Sequence, residues 1–170
     1  MTRPPADGMI IRSVRHLTSI FLVREGHVLL LYRRGSRAIP DSWVGLGGHL
    51  EPAELTDPTG AVLRELDEEI GLSGDALERL RLRYVALRDT GAELRLTYYF
   101  TAELRPGAVV PESCTEGDLR WFDLARDPAL DMPPTAKLAF DHWRTGGRFD
   151  EEIRSVVLGA DGPVIAPLAH

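Results

Sequence analysis

The sequence predicts one α/β domain with a central mixed β-sheet. Three observations carry this. Apolar strand patterns occupy both halves of the chain and are joined by turn signals. Two segments of helical period, 58–70 and 135–144, interrupt them. The run Val28-Leu29-Leu30-Leu31 is apolar at every position, as in a strand covered by helices on both faces.

In chain order, residues 1–12 are expected to be a flexible N-terminal tail and 13–170 a single domain. Val14 to Arg24 reads as a strand centred on Ile20-Phe21-Leu22-Val23. Glu25-Gly26 turns it into a second strand, His27 to Arg33. Ile39 to Ser42 reads as a loop, and Trp43 to Glu51 follows with Gly45, Gly47 and Gly48. Glycines so placed allow the close backbone approach of a ligand-lining loop. Asp57 is a helix N-cap and Pro58 a first helical residue, so a helix runs from Pro58 to about Ile70 and stops at Gly71. Ser73 to Arg79 is a connector. Leu80 to Arg88 and Glu93 to Leu104 read as strands around the turn Asp89 to Ala92, with Tyr98, Tyr99 and Phe100 reading either as sheet packing or as offering a ring that stacks on a base. A polar loop leads to a short strand, Leu119 to Asp123. Pro133-Pro134 introduces a helix over 135–144, and Ile153 to Leu158 with Val164 to Ala166 forms a terminal hairpin.

Charge and composition exclude several classes. The net charge is −6 and no block of lysine or arginine occurs, which argues against a nucleic-acid polymer as partner. No run approaches the roughly 18 apolar residues of a membrane span, so no membrane partner is expected. Cys114 is the single cysteine, which leaves no disulfide framework and fits a reducing, cytoplasmic setting.

The chemistry concentrates in Arg64-Glu65-Leu66-Asp67-Glu68-Glu69-Ile70-Gly71-Leu72. Glu65, Glu68 and Glu69 are related as i, i+3 and i+4, so they share one helix face opposite Leu63, Leu66 and Ile70. Carboxylates at a helix C-terminus oppose the dipole, and the Glu65/Glu69 pair repels itself. Such a cluster is either a solvated acidic face or a site for a hard divalent cation, Mg2+ or Mn2+. Arg33, Arg34 and Arg37 read either as a solvated basic loop or as phosphate contacts.

Gly48, Glu54, Arg64, Glu65, Leu66, Glu68, Glu69, Gly71 and Leu72 together resemble the signature box of the Nudix hydrolases. Its second half matches without exception. Nine residues separate Glu54 from Arg64 where the family has seven. This two-residue insertion falls around Leu55 to Thr59 and bears on where Glu54 sits. The Trp-containing approach to the double glycine and the Glu116…Trp121-Phe122 segment are also similar to the family layout.

The resemblance implies an α/β/α sandwich and a metal-dependent hydrolase acting on a nucleoside diphosphate linked to another moiety. It makes Glu65, Glu68 and Glu69 metal ligands, with Gly47 contributing its backbone carbonyl. It makes Arg64 the residue that holds the glutamates, and Glu116 a further ligand or base. Glu65 and Glu116 are both candidates for the base. Arg33, Arg34, Trp43 and Gly48 are the candidate substrate-binding residues. The substrate expected is a nucleoside di- or triphosphate, with oxidised dGTP one candidate, because Leu46 before the double glycine is similar to nucleotide-cleaning members. An ADP-ribose or nucleotide-sugar pyrophosphatase is the alternative within enzymes, and a non-catalytic nucleotide-binding sensor the alternative outside them. A homodimer is among the assemblies the family allows.

Overall fold

The computed structural model describes residues 12–37 and 40–168. The expected tail therefore lies, Arg12 aside, outside the described residues, as do Ile39 and the last two residues of the expected domain.

Among the described residues nine strands form one sheet. They are β1 (Val14–Arg24), β2 (His27–Arg33), β3 (Ser42–Val44), β4 (Leu77–Asp89), β5 (Leu94–Leu104), β6 (Ser113–Cys114), β7 (Gly117–Asp123), β8 (Arg154–Gly159) and β9 (Gly162–Pro167). Their order is β6-β7-β2-β1-β5-β4-β8-β9, with β3 added on β2. β1–β5 and β4–β8 are parallel and the other pairs antiparallel, so the sheet is mixed as expected. Helix α1 (Pro58–Ile70) covers one face and α2 (Pro134–Thr145) the other.

The period-2 alternation of the central strands sorts the core into two layers. Ile20, Leu22, Leu29, Leu31 and Phe100 pack with Val62, Leu66 and Ile70 of α1. Phe21, Val28, Leu30, Tyr84 and Tyr99 pack with Ala136, Ala139, Phe140 and Trp143 of α2. Neighbouring residues of β2 thus serve opposite helices, which is why its sequence is apolar throughout.

The sheet opens where the Gly-rich loop enters. β1 pairs with β2 only from Leu22 to Arg24. The first half of β1 gives its free edge to the loop: Ile20 N–H donates to Leu46 O at 2.7 Å, Thr18 N–H to Gly48 O at 2.8 Å and Leu50 N–H to His16 O at 3.1 Å. The loop is therefore fastened like an extra strand between β1 and the start of the acidic helix.

Three segments depart from the sequence expectation. Ser42–Val44, expected as part of a loop and its approach, is a strand because Arg33 and Tyr32 of β2 pair with it. β4 begins at Leu77 rather than Leu80, and its register slips against β5 between Glu78 and Arg81 and again between Leu82 and Tyr84. Ser113–Cys114 pairs with β7 inside the expected polar loop.

Candidate active site

Helix α1 begins as its sequence dictates. Asp57 accepts from Gly60 N–H at 2.9 Å, and Gly71 closes the helix in the left-handed region at φ 67°. With Val62, Leu66 and Ile70 buried, Glu65 and Glu69 are turned toward the Gly-rich loop. Gly47 N–H donates to Glu69 Oε2 at 3.0 Å. Gly47 thus meets the helix through its amide. Its φ is +135°, and a Cβ there would stand 2.4 Å from Thr18 O. At Gly48 a Cβ would stand 2.6 Å from Glu65 Oε2, so the glycine leaves that carboxylate its place.

Arg64 ties the first half of the signature to the second. Its Nε and Nη2 donate to Glu54 Oε1 and Oε2 at 2.7 and 3.0 Å. Its Nη1 donates to Glu68 Oε2 at 2.9 Å, and Nη2 also reaches Glu65 Oε1 and the carbonyl of His49, each at 3.0 Å. Glu54 accepts a further hydrogen bond from Glu51 N–H at 2.8 Å. The Arg64 guanidinium, helped by that amide, holds the Glu54 carboxyl down to about 2. The inserted residues form a turn between the short 3-10 helix Pro52–Glu54 and α1. They leave Glu54 in register with Arg64.

Glu116 approaches from the loop ahead of β7, placed by the Arg33–Gly117 pairing of β2 with β7. Arg33 Nη2 donates to Glu116 Oε1 at 3.0 Å, while Glu116 Oε2 is buried without a hydrogen-bond partner. Burial and then the charge of Glu116 push the Glu69 carboxyl up to about 8, against the Gly47 amide. Burial also raises Glu65, with Arg64 opposing. The donor set fits a hard divalent cation: oxygen-only groups, mutual repulsion and one orphaned buried oxygen all call for positive charge. The fit is chemical rather than preassembled. Among the described residues no three acidic, His or Cys side chains already surround one point, and Glu65 and Glu68 are turned onto Arg64.

Beside the carboxylates, across Gly47 and Gly48, lies a cavity of about 140 Å³ between the sheet and the start of α2. Arg15, Arg33, Arg88, Arg95 and His49 line it, with the hydroxyl residues Ser19, Thr97, Tyr99 and Thr135, and its wall contains no carboxylate. Burial and then Arg15 and Arg33 lower the His49 pKa. A larger cavity of about 380 Å³ lies at the other end of β1, near Gly26. Its Arg79, Arg81 and Arg83 are already paired with Glu103, Glu151 and Asp150, so it has no part in the site.

The sequence-predicted residues divide accordingly. Arg64, Glu65, Glu68 and Glu69 share α1 with its Gly47–Gly48 loop, and Glu116 and Arg33 join them from β2 and β7. Arg34 and Trp43 are not brought there. Arg34 pairs with Asp118 at 2.6 Å, and Trp43 packs tilted against Tyr32 and edge-to-face against Phe122 in a separate surface groove. Sequence reasoning missed Arg15, Arg88, Arg95, Thr97 and Thr135. Its one available signal was the polar residue at alternate positions near the start of β1 and β5 (Arg15, Ser19; Arg95, Thr97).

Comparison with known proteins agrees with this geometry. The model of the NUDIX domain matches residues 14–142. The chain is 34% identical over 129 residues to an NAD-capped RNA hydrolase, NudC, of Chromobacterium violaceum, covering 76% of this chain and 46% of that one. It is 33% identical over 105 residues to the NudC of Deinococcus radiodurans, covering 62% and 34%. The chain thus spans a third to just under half of these curated relatives. Among solved structures it resembles a mutator MutT protein of Bacillus halodurans, with TM-score 0.64, 22% identity and coverage of 91% and 95%. A MutT NUDIX hydrolase of Burkholderia pseudomallei gives TM-score 0.59 and 25% identity, covering 76% and 98%.

Proposed function

The chain belongs to the NUDIX family, and from that premise we propose that it hydrolyses the pyrophosphate linkage of a nucleoside di- or triphosphate with the help of a divalent cation. One observation carries the reading. Arg33 stands at the junction of the two halves of the site, paired with Glu116 and lining the arginine-rich cavity. A substrate that places its phosphates by the carboxylates therefore has a contiguous pocket for the rest of the molecule.

Glu65, Glu68 and Glu69 would hold the cation, Mg2+ or Mn2+, which supplies charge neutralisation on the phosphoryl oxygens. Arg64 fixes Glu65 and Glu68 and, through His49 O, the loop beside them. Glu116 takes the proton of the attacking water. Arg33 holds its Oε1 and the Glu69 carboxyl lies beside it, whereas Glu65, the other candidate base, is engaged by Arg64. Water oxygen bonds to phosphorus, its proton goes to Glu116, and the anhydride P–O bond breaks to release the leaving phosphate. No helix among the described residues is long and apolar enough to cross a membrane.

A second reading has its own support. The relatives at 33–34% identity are named for NAD-capped RNA, whose cap is a dinucleotide, so a dinucleotide, ADP-ribose or nucleotide-sugar linkage is the rival substrate. A sensor without turnover is less favoured, because the full set Arg64, Glu65, Glu68 and Glu69 is present. The test is a panel with Mg2+ or Mn2+: canonical triphosphates, oxidised dGTP, ADP-ribose, nucleotide sugars, NAD and NAD-capped RNA, with product identification. Nucleoside monophosphate plus pyrophosphate from a triphosphate supports the first reading. Turnover confined to dinucleotides or sugars supports the second, and no turnover at all supports the sensor.

A further inference from the structure

The cavity is more basic than cleavage of one anhydride requires. Arg15 of β1 lies directly opposite Arg95 of β5, and Arg95 lies opposite Arg88 of β4. Three arginines thus stand in one row across three adjacent strands, facing the same cavity. Like charges directly opposite one another destabilise a sheet. One carboxylate answers the row: Glu93 pairs with Arg15 at 3.2 Å and with Arg95 at 2.8 Å. Arg88 is half-buried, and among the described residues its side chain has no ion pair and no hydrogen bond. Arg33, the remaining arginine of the wall, is committed to Glu116. The excess charge therefore sits at Arg88, and Arg88, Arg95 and Pro133 also line an adjoining cavity of about 570 Å³.

We propose that the Arg15–Arg95–Arg88 row is a second anion site, and that the preferred substrate carries a further phosphate on the half that enters the cavity, in addition to the anhydride that is cleaved. This rests on the reading that the cavity receives that half of the substrate. The planar guanidinium forks suit a phosphate monoester, such as one on a ribose 2′ or 3′ oxygen. Arg88 is the specificity-determining residue, because its charge is the one left unspent.

The experiment is calorimetric binding to the full chain without divalent ions, using adenosine and guanosine 5′-monophosphates and their 2′,5′- and 3′,5′-bisphosphates. At least one bisphosphate is expected to bind about tenfold tighter than its 5′-monophosphate, as one charge-assisted contact provides. Arg88→Ala should erase most of that gain without lowering the melting temperature, since no partner is lost and one like charge leaves the row. Arg88→Lys should restore part of it, and Arg126→Ala, far more exposed on the β7 side, should leave it intact. Equal affinity for mono- and bisphosphates, a gain that survives Arg88→Ala, or no binding of any of them overturns the proposal. Because the measurement needs neither metal nor turnover, a bisphosphate preference stands even if the substrate panel shows no hydrolysis. Hydrolysis of plain triphosphates without the preference sinks the second site alone.

Discussion

Arg64 and Glu54 meet edge to edge, Nε to Oε1 at 2.7 Å and Nη2 to Oε2 at 3.0 Å, across the inserted turn. The same guanidinium holds Glu65, Glu68 and the His49 carbonyl, so one side chain sets three others and a stretch of the loop backbone. Arg64→Ala is expected to lower kcat by about 10- to 100-fold, the cost of misplacing site groups by about an ångström. Its stability cost should stay near 1–3 kcal/mol, because the pairs are partly solvated. Arg64→Lys should not rescue activity, since an ammonium cannot span both Glu54 oxygens. Thermal melts and steady-state kinetics on both variants check this. A stability loss that explains the whole activity loss would reduce Arg64 to a structural tie.

Gly48→Ala separates fold from site. The added methyl meets the end of the flexible Glu65 side chain at 2.6 Å, and Gly48 does not have a positive φ. The protein should fold with a melting temperature within a few degrees of the parent, yet kcat should fall by about tenfold or more as Glu65 is displaced. Gly47→Ala is the harsher control, because its methyl meets the Thr18 carbonyl at 2.4 Å and the backbone φ is +135°. Unimpaired turnover in Gly48→Ala would remove Glu65 from the reaction.

Glu69 makes metal binding and stability depend on pH in a defined direction. Its folded-state pKa is raised, to about 8, so the metal-free folded protein holds a proton that the unfolded chain has already released. Stability from this group is present below the ordinary carboxylate range and is lost as pH rises toward 8. A divalent cation must displace that proton, so its stabilising effect should be larger at pH 8 than at pH 6. Melting curves with and without Mg2+ at the two values test this. Glu69→Gln should flatten the metal-free slope, and a Mg2+ effect independent of pH would contradict the assignment of Glu69.

Much of this was legible locally. Helix α1 and strands β1 and β2 were predicted with their observed bounds, because caps, periodicity and the Glu25-Gly26 turn are all encoded within a few residues. β3 and β6 were not, being three and two residues that exist only through pairing with β2 and β7. The site divides the same way. Arg64, Glu65, Glu68 and Glu69 lie within one short stretch and announce themselves, and despite the insertion Arg64 reaches Glu54 in space. Arg15, Arg95 and Arg88 come from three strands brought together only by the β1–β5–β4 register. Trp43 shows the converse error: its aromatic signal was real, but Tyr32 and Phe122 use it for packing.

On the opposite face, Tyr84 and His142 should give the fold an acid-sensitive contact. Tyr84 is fully buried and burial pushes its pKa up to about 12, so its hydroxyl stays protonated and donates to His142 Nδ1 at 2.8 Å. With Tyr84 as the donor, Nδ1 accepts and the imidazole is neutral. Burial, followed by the nearby Arg154, lowers the His142 pKa below its ordinary 6.5. The unfolded chain therefore takes up this proton first as pH falls, and stability from the contact is lost from about pH 6.5 downward. Below the folded pKa both states are protonated and the loss levels off. His142→Gln retains a carbonyl acceptor without the titration, so its melting temperature should fall less than the parent's between pH 7.5 and pH 5.5. Identical acid slopes for the two proteins would show that His142 is already protonated, or solvent-coupled, in the folded state.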